Sequence, residues 1–298
     1  GQSVEAKARG EVVLASGSIG TPQILELSGI GRGEVLSRHG VPVLHEANGV
    51  GENLQDHLQL RPIFKVSNTR TLNVDYQSLW KRAKMGLDYA LFRRGPMAMA
   101  PSQLGIFARS SADYATANVE FHLQPLSLDK FGDAMHPFGA ITVSVCNLRP
   151  ASRGSVHIES GDFRSAPAIR PNYLSEDEDR RVAVDSIRLA RKLCAAPALK
   201  RFNPEEFRPG AQLTTDEELV KAAGDLGTTI FHPVGTARMG ADNDKGAVLD
   251  SRLRVRGIDG LRVADASAMP RITSGNTNSP TMMIAEKAAR MMLEDARA

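Results

Sequence analysis

Cysteine is nearly missing from these 298 residues; there are two, Cys146 and Cys194. Two cannot build a disulfide framework, and neither stands in a C-x-x-C, so nothing points to a zinc or thioredoxin-like site. An excess of one charge is missing too. Lys plus Arg number 37 and Asp plus Glu 34, a formal charge of +3, which gives a nucleic-acid-binding class no support. No window approaches ~18 uninterrupted apolar residues, so no spanning helix is expected in this portion. The longest apolar stretches, such as Gly139 to Cys146, are strand-sized. G-x-S-x-G, the Walker loop and H-E-x-x-H are all absent. G-x-G-x-x-G is absent as well: after Gly29 and Gly31 the third position is Glu34, and after Gly49 and Gly51 it is Leu54. The seven histidines show no metal-ligand spacing, and no metal site is expected.

What is there reads as a soluble chain long enough for two domains, 42% apolar and 24% charged. Val12 to Ala15 reads as a buried strand. Thr21-Pro22 predicts an N-cap and a first helical position. Glu34 to Arg38 predicts another helical turn, and Gly49 to His57 a polar loop. Over residues 75–92, Leu79, Ala83, Leu87 and Leu91 recur every four residues beside Trp80, which predicts an amphipathic helix. Short strand-like runs follow from about 105 to 173. Ile141, Val143 and Val145 alternate with Thr142, Ser144 and Cys146, as in a half-buried antiparallel strand. Capping boxes at Ser175–Glu178 and Thr215–Glu218 predict two further helices. Leu261 to Ala264 predicts a strand ending at Asp265, and Pro280 opens a last helix. The fold class expected is α/β, mixed with α+β: two α/β ends flanking a middle region with an antiparallel sheet.

Three segments are dense in Gly, Asn and Asp at element ends. They are Ala15-Ser-Gly-Ser-Ile-Gly-Thr-Pro-Gln-Ile-Leu-Glu-Leu-Ser-Gly-Ile-Gly31, Phe231-His-Pro-Val-Gly-Thr-Ala-Arg-Met-Gly240, and Leu261 through Asp265 and Gly275-Asn-Thr-Asn-Ser to Pro280. Together with the loop Gly49 to His57, and in this order, they make the chain resemble the glucose–methanol–choline (GMC) family of FAD-dependent alcohol oxidoreductases. Within that family the likeness is to bacterial choline and alcohol dehydrogenases. The resemblance runs from about residue 11 to 292 and is weakest between 60 and 140. Members of the family begin with a βαβ unit carrying G-x-G-x-x-G, which holds the FAD pyrophosphate. That N-terminal dinucleotide-binding unit is absent here, and the chain opens Gly-Gln-Ser-Val without an initiator Met. A C-terminal portion of such an enzyme is therefore expected. Residues 1–60 and 225–298 would form a partial, discontinuous FAD-binding domain, and 61–224 a substrate-binding domain.

The resemblance makes His232 the catalytic base; a neutral imidazole can take an alcohol proton near neutral pH. Taken alone, His232 would read as an ordinary loop histidine. Asn276 matches the second catalytic position, where an amide can donate to a developing alkoxide. Its rival is Asn278, closer to the helix start, and capping is the structural alternative for either. Asp265 and Ala266 would lie against the diphosphate–ribityl region, though Asp265 could equally cap a turn. Gly17, Ser18 and Ile19 would lie near the cofactor, or simply form a tight strand-to-helix turn. Asn53 and His57 would border the flavin or the substrate entrance, and Thr277 would lie at the cofactor. Glu120 and His122 sit on a predicted central strand, where a packed role outweighs a pocket role.

The activity implied is oxidation of a primary alcohol to an aldehyde, with hydride passing to the flavin. The alternatives are a cyanohydrin lyase on the same fold, or a partial chain that only packs against a separate FAD-binding half. The partners implied are a small-molecule alcohol and an electron acceptor, either a quinone-type carrier or oxygen. The location implied is cytoplasmic or membrane-peripheral.

Overall fold

A computed structural model describes residues 4–130 and 132–297. The chain folds into two compact units. One comprises Gly1–His57, Arg149–Ser175 and Phe231–Ala298; the other comprises Leu58–Leu148 and Glu176–Ile230. The segment 149–175, expected in the middle region, joins the first unit instead. The reason is backbone pairing. Strand Ser155–His157 pairs antiparallel with Ala168–Arg170, Leu54 bridges Gly154, and the Val156 N–H donates to Gly51 O at 2.7 Å. The boundaries accordingly fall at 57/58 and 230/231 rather than at 60/61 and 224/225. No helix among the described residues is long and apolar enough to cross a membrane.

In the first unit, Val12–Leu14 and Leu261–Val263 lie side by side as a parallel pair, although 248 positions separate Gly17 from Asp265 just beyond them. Helix Gly17–Leu27 follows the first strand. It starts five residues earlier than the Thr21-Pro22 signal suggests, so Pro22 stands inside it. A proline there lacks the N–H that would bond back to the carbonyl of Ser18. The Thr236 hydroxyl supplies the missing donor, 2.7 Å from Ser18 O, so the buried carbonyl is satisfied from another loop. The core of this unit gathers Leu25, Val50, Val234, Leu249, Val263 and Ile284. Helix Asn278–Asp295 turns Ile284 and Ala288 inward and leaves Met282 and Met283 exposed.

The second unit is built on a seven-stranded antiparallel sheet. Ala140–Asn147 lies at its centre and pairs with Val119–Gln124, Ile63–Lys65 and Leu58–Leu60. The alternation of Ile141 to Cys146 suggests one wet face, but Thr142, Ser144 and Cys146 are as buried as Val143 and Val145. The polar face is covered and its hydroxyls are satisfied internally. Thr142 donates to Leu126 O at 2.7 Å, and Ser144 donates to His122 O at 2.9 Å. Helix Asp177–Cys194 buries Val182, Ile187 and Ala190. The Thr215–Glu218 capping box is fully formed. The one at Ser175 is not, because that helix starts a residue later, with Glu176 at its N-cap. Helix Leu79–Phe92 forms where the spacing predicts, yet it buries none of its residues.

Candidate active site

His232 lies in the loop that follows Phe231, whose φ of 63° is in the left-handed region that bulky residues rarely adopt. Asp56 holds this turn in place. Its Oδ1 accepts the His232 N–H at 2.9 Å, and its Oδ2 accepts the Tyr173 hydroxyl at 2.5 Å. The His232 ring is then held from two sides. Its Nδ1 lies 3.1 Å from Nδ1 of His57, with the rings edge-on at 85°. Its Nε2 lies 3.3 Å from the Asn276 amide nitrogen. An Asn276 N–H donated to Nε2 would require the ring proton on Nδ1, facing His57. His57 is fully buried and His232 nearly so. The two ring nitrogens of His232 thus face buried His57 on one side and the exposed Asn276 on the other.

The remaining expected residues form a joint next to His232. The Asp265 carboxylate accepts the Gly17 N–H at 2.9 Å and the Thr21 hydroxyl at 2.6 Å on one oxygen, and the Ser267 N–H and hydroxyl on the other. Asp265 thus caps the helix that begins at Gly17, where a negative charge also suits the helix dipole. Of the two roles expected for it, the cap is the one its contacts fill. Thr21 serves Asp265 and does not cap its own helix. Gly17 has a φ of +74° and only open space where a Cβ would stand; its glycine is demanded by backbone conformation. Ser18 donates to Pro233 O at 2.7 Å, directly after His232. Ala266 O accepts the Gly235 N–H at 3.2 Å. Asn53, itself at φ 61°, donates to Gly235 O at 3.1 Å. A Cβ on Gly235 would come within 2.7 Å of Asn53, so this contact excludes any larger residue there. Ile19 is half-buried and makes no polar side-chain bond among those of the described residues. Thr277 is the N-cap of the last helix but without a side-chain cap bond. Asn278 is exposed inside the first turn, so the capping role weighed for it is not filled.

Asp56 and Tyr173 escaped the sequence reading, and His57 was expected only at the border of the flavin or of the substrate entrance. The one available signal was the Asp56-His57 pair closing a polar loop; nothing in spacing links either residue to position 173 or 232. A second polar cluster, partly buried around Glu26, was also missed. His157 Nδ1 lies 2.7 Å from Glu26 and its Nε2 3.1 Å from Glu52, while Arg32 holds Glu52 at 2.8 Å. The hydrogen bonds to the two carboxylates lift the His157 pKa from 6.5 to about 9. The same contact to His157, and the Arg32 charge, lower that of Glu52.

Comparison with known proteins places this geometry. Two models of the GMC oxidoreductase family match residues 1–59 and 150–285, together well over half of the chain. The chain belongs to the GMC oxidoreductase family. It is 37% identical over 293 residues to an alcohol dehydrogenase [acceptor] of Pseudomonas putida, covering 98% of this chain and 52% of that protein. It is 38% identical over 289 residues to an oxygen-dependent choline dehydrogenase of Escherichia coli, covering 96% and 50% respectively. Among solved structures it superposes on a formate oxidase of Aspergillus oryzae RIB40, studied for its FAD modification, with a TM-score of 0.89 and 29% identity, over 97% of this chain and 55% of that one. The chain spans about half the length of the curated relatives it matches.

Proposed function

We propose that the polypeptide oxidises an alcohol with FAD as its redox group, and that His232 Nε2 is the base. The single observation carrying this is the contact set around His232: Nδ1 lies 3.1 Å from His57 and Nε2 lies 3.3 Å from the Asn276 amide. The residues present fit a flavin. The turn Ala15 to Ser18 and the turn Asp265–Ala266 follow the C-terminal ends of two parallel strands, where α/β folds bind cofactors. Ala15 and Ser16 are exposed, and the space beside Gly17 is open. Gly17, Ser18, Ile19, Ala266, Asn53 and Thr277 would border the cofactor, with Asp265 holding the two turns together. The unit that carries them would be the FAD-side domain, and the sheet unit the substrate side. When bound, FAD accepts the hydride.

The chain's own contribution is proton handling and orientation. A substrate hydroxyl competes with Asn276 for the one lone pair on Nε2. When the hydroxyl takes that position, the proton passes to Nε2, and the displaced amide is left beside the oxygen on which negative charge develops. A hydrogen bond from Nδ1–H to His57 would hold the reactive tautomer throughout. Asp56, through Tyr173 and the His232 backbone, fixes the height of the ring. The relatives' names supply two kinds of electron acceptor, an unspecified acceptor and oxygen; a quinone-type carrier or oxygen would serve here.

The test is stopped-flow bleaching of the flavin by a saturating alcohol, in a polypeptide of the relatives' full length. His232→Ala should slow bleaching about 10²–10⁴-fold, with a smaller effect on substrate binding. Asn276→Ala should do less, up to about 10²–10³-fold. Asn278→Ala should leave the rate essentially unchanged. A flavin that substrate never bleaches would favour the lyase chemistry instead. Parent-rate bleaching by His232→Ala across pH 6–9 would refute the proposed base.

A further inference from the structure

Helix Leu79–Phe92 is the largest departure from the rule that apolar helix faces are buried. On a helical wheel, Leu79, Trp80, Ala83, Leu87, Ala90 and Leu91 share one arc of about 120°. That arc points outward. Trp80 is 81% exposed, Leu79 78%, Leu91 63% and Leu87 59%. The stripe continues past the helix end, where Met97 and Met99 are 58% and 54% exposed. A contiguous exposed apolar face of this kind marks an interaction surface.

Charge decides which partner it fits. Residues 70–94 carry six cations, Arg70, Lys81, Arg82, Lys84, Arg93 and Arg94, and two carboxylates, Asp75 and Asp88. Both carboxylates are already taken: Asp75 by Arg70 and Lys81, and Asp88 by Lys84. Arg82, Arg93 and Arg94 lean on the rings of Tyr76, Tyr89 and Phe92 instead. An outward Trp–Leu stripe bordered by uncommitted arginines matches a helix that lies in a membrane interface, with apolar side chains among acyl chains and cations at headgroup phosphates. We infer that helix Leu79–Phe92 docks the protein flat onto an anionic lipid surface. A protein partner would have to bring both an apolar groove and a dense acidic rim; an anionic bilayer presents both together.

Trp80 is the chain's single tryptophan, so it reports on this helix alone. The experiment adds vesicles of phosphatidylcholine, with or without 30 mol% phosphatidylglycerol, to the 298-residue chain. Trp80 emission and acrylamide quenching are then read, with co-sedimentation in parallel. Anionic vesicles should shift the emission to the blue, protect Trp80 and carry the chain down, while neutral vesicles should bind far more weakly. Replacing Arg82, Arg93 and Arg94 with Gln should weaken anionic binding about a hundredfold. Leu87→Gln with Leu91→Gln should weaken it about tenfold or more and reduce the blue shift. All five positions are exposed, so neither variant should lose fold, which the far-UV spectrum checks. Equal binding to neutral and anionic vesicles, or none to either, would overturn the inference. So would a Trp80 emission already blue-shifted without vesicles, either at high chain concentration or in a polypeptide of the relatives' length. Those results would mean that a second copy or the rest of the polypeptide covers the stripe.

Discussion

Phe121, fully buried in the sheet unit, is flanked by strands on both sides, with Val145 opposite it on one and Ile106 on the other. Asp265 in the other unit is just as hidden, but around it converge a helix end, a strand end and a turn that the chain reaches 248 residues apart. The first kind of order comes from backbone ladders with apolar side chains packed on them. The second comes from single polar groups that each satisfy several loops. His232, the proposed base, belongs to the second kind: Asp56, His57, Tyr173 and Asn276 hold it, and none of these shares a regular element with it. A sheet fixes backbones at a set spacing. A reactive nitrogen needs partners from several directions, and loops meeting at strand ends provide them.

Substitutions should break the two kinds of order differently. Phe121→Ala should cost the sheet unit about 3–5 kcal/mol, the transfer and cavity terms of a large buried ring. Urea unfolding should show this, with little change in any readout confined to the His232 loop. Asp265→Asn should cost about 1.5–3 kcal/mol, since the charge-assisted bonds to Gly17, Thr21 and Ser267 weaken together. Because Ser18 and Ala266 both touch the His232 loop, the same change should also lower the activity of the holoenzyme, which Phe121→Ala should affect only through stability. If Asp265→Asn alters stability alone, the joint is a scaffold without influence on the base.

The smallest expected effect is on pH dependence. The folded pKa of His157, about 9 against an ordinary 6.5, means that its contacts stabilise most fully below about pH 6.5. That contribution is lost as pH rises through about 9. Partial exposure screens it, so a loss of no more than about 1 kcal/mol is expected. The depressed pKa of Glu52 acts in the opposite direction: its contribution is present above its ordinary pKa of 4.5 and fades as pH falls through the lowered value. Urea midpoints at pH 6 and pH 9.5 should differ in the parent and converge in His157→Gln. Equal midpoints in the parent would mean that the cluster contributes nothing net.

Much of the scaffold was legible because it rests on local rules. The capping box at Thr215, the strand runs 119–124 and 140–147 and the strand before Asp265 all have signals within a few residues of themselves. The same local rules misled wherever a distant partner outcompeted them. Thr21-Pro22 reads as a helix start, but Asp265 and Thr236 together allow the helix to begin at Gly17. The spacing of Leu79 to Leu91 correctly marks a helix face; periodicity says that a face exists, not what it meets.

For the site, the family resemblance carried by the ordered motifs pointed to His232, Asn276 and the turns at 17 and 265; His232 taken alone reads as an ordinary loop histidine. Which groups meet the two ring nitrogens of His232 was never in the sequence. They are His57 on one side of the ring and Asn276 on the other, contacts between residues 175 and 44 positions apart. Tertiary structure alone decided that, because only the fold brings residues so far apart in the chain to opposite sides of one ring, where such groups set a tautomer.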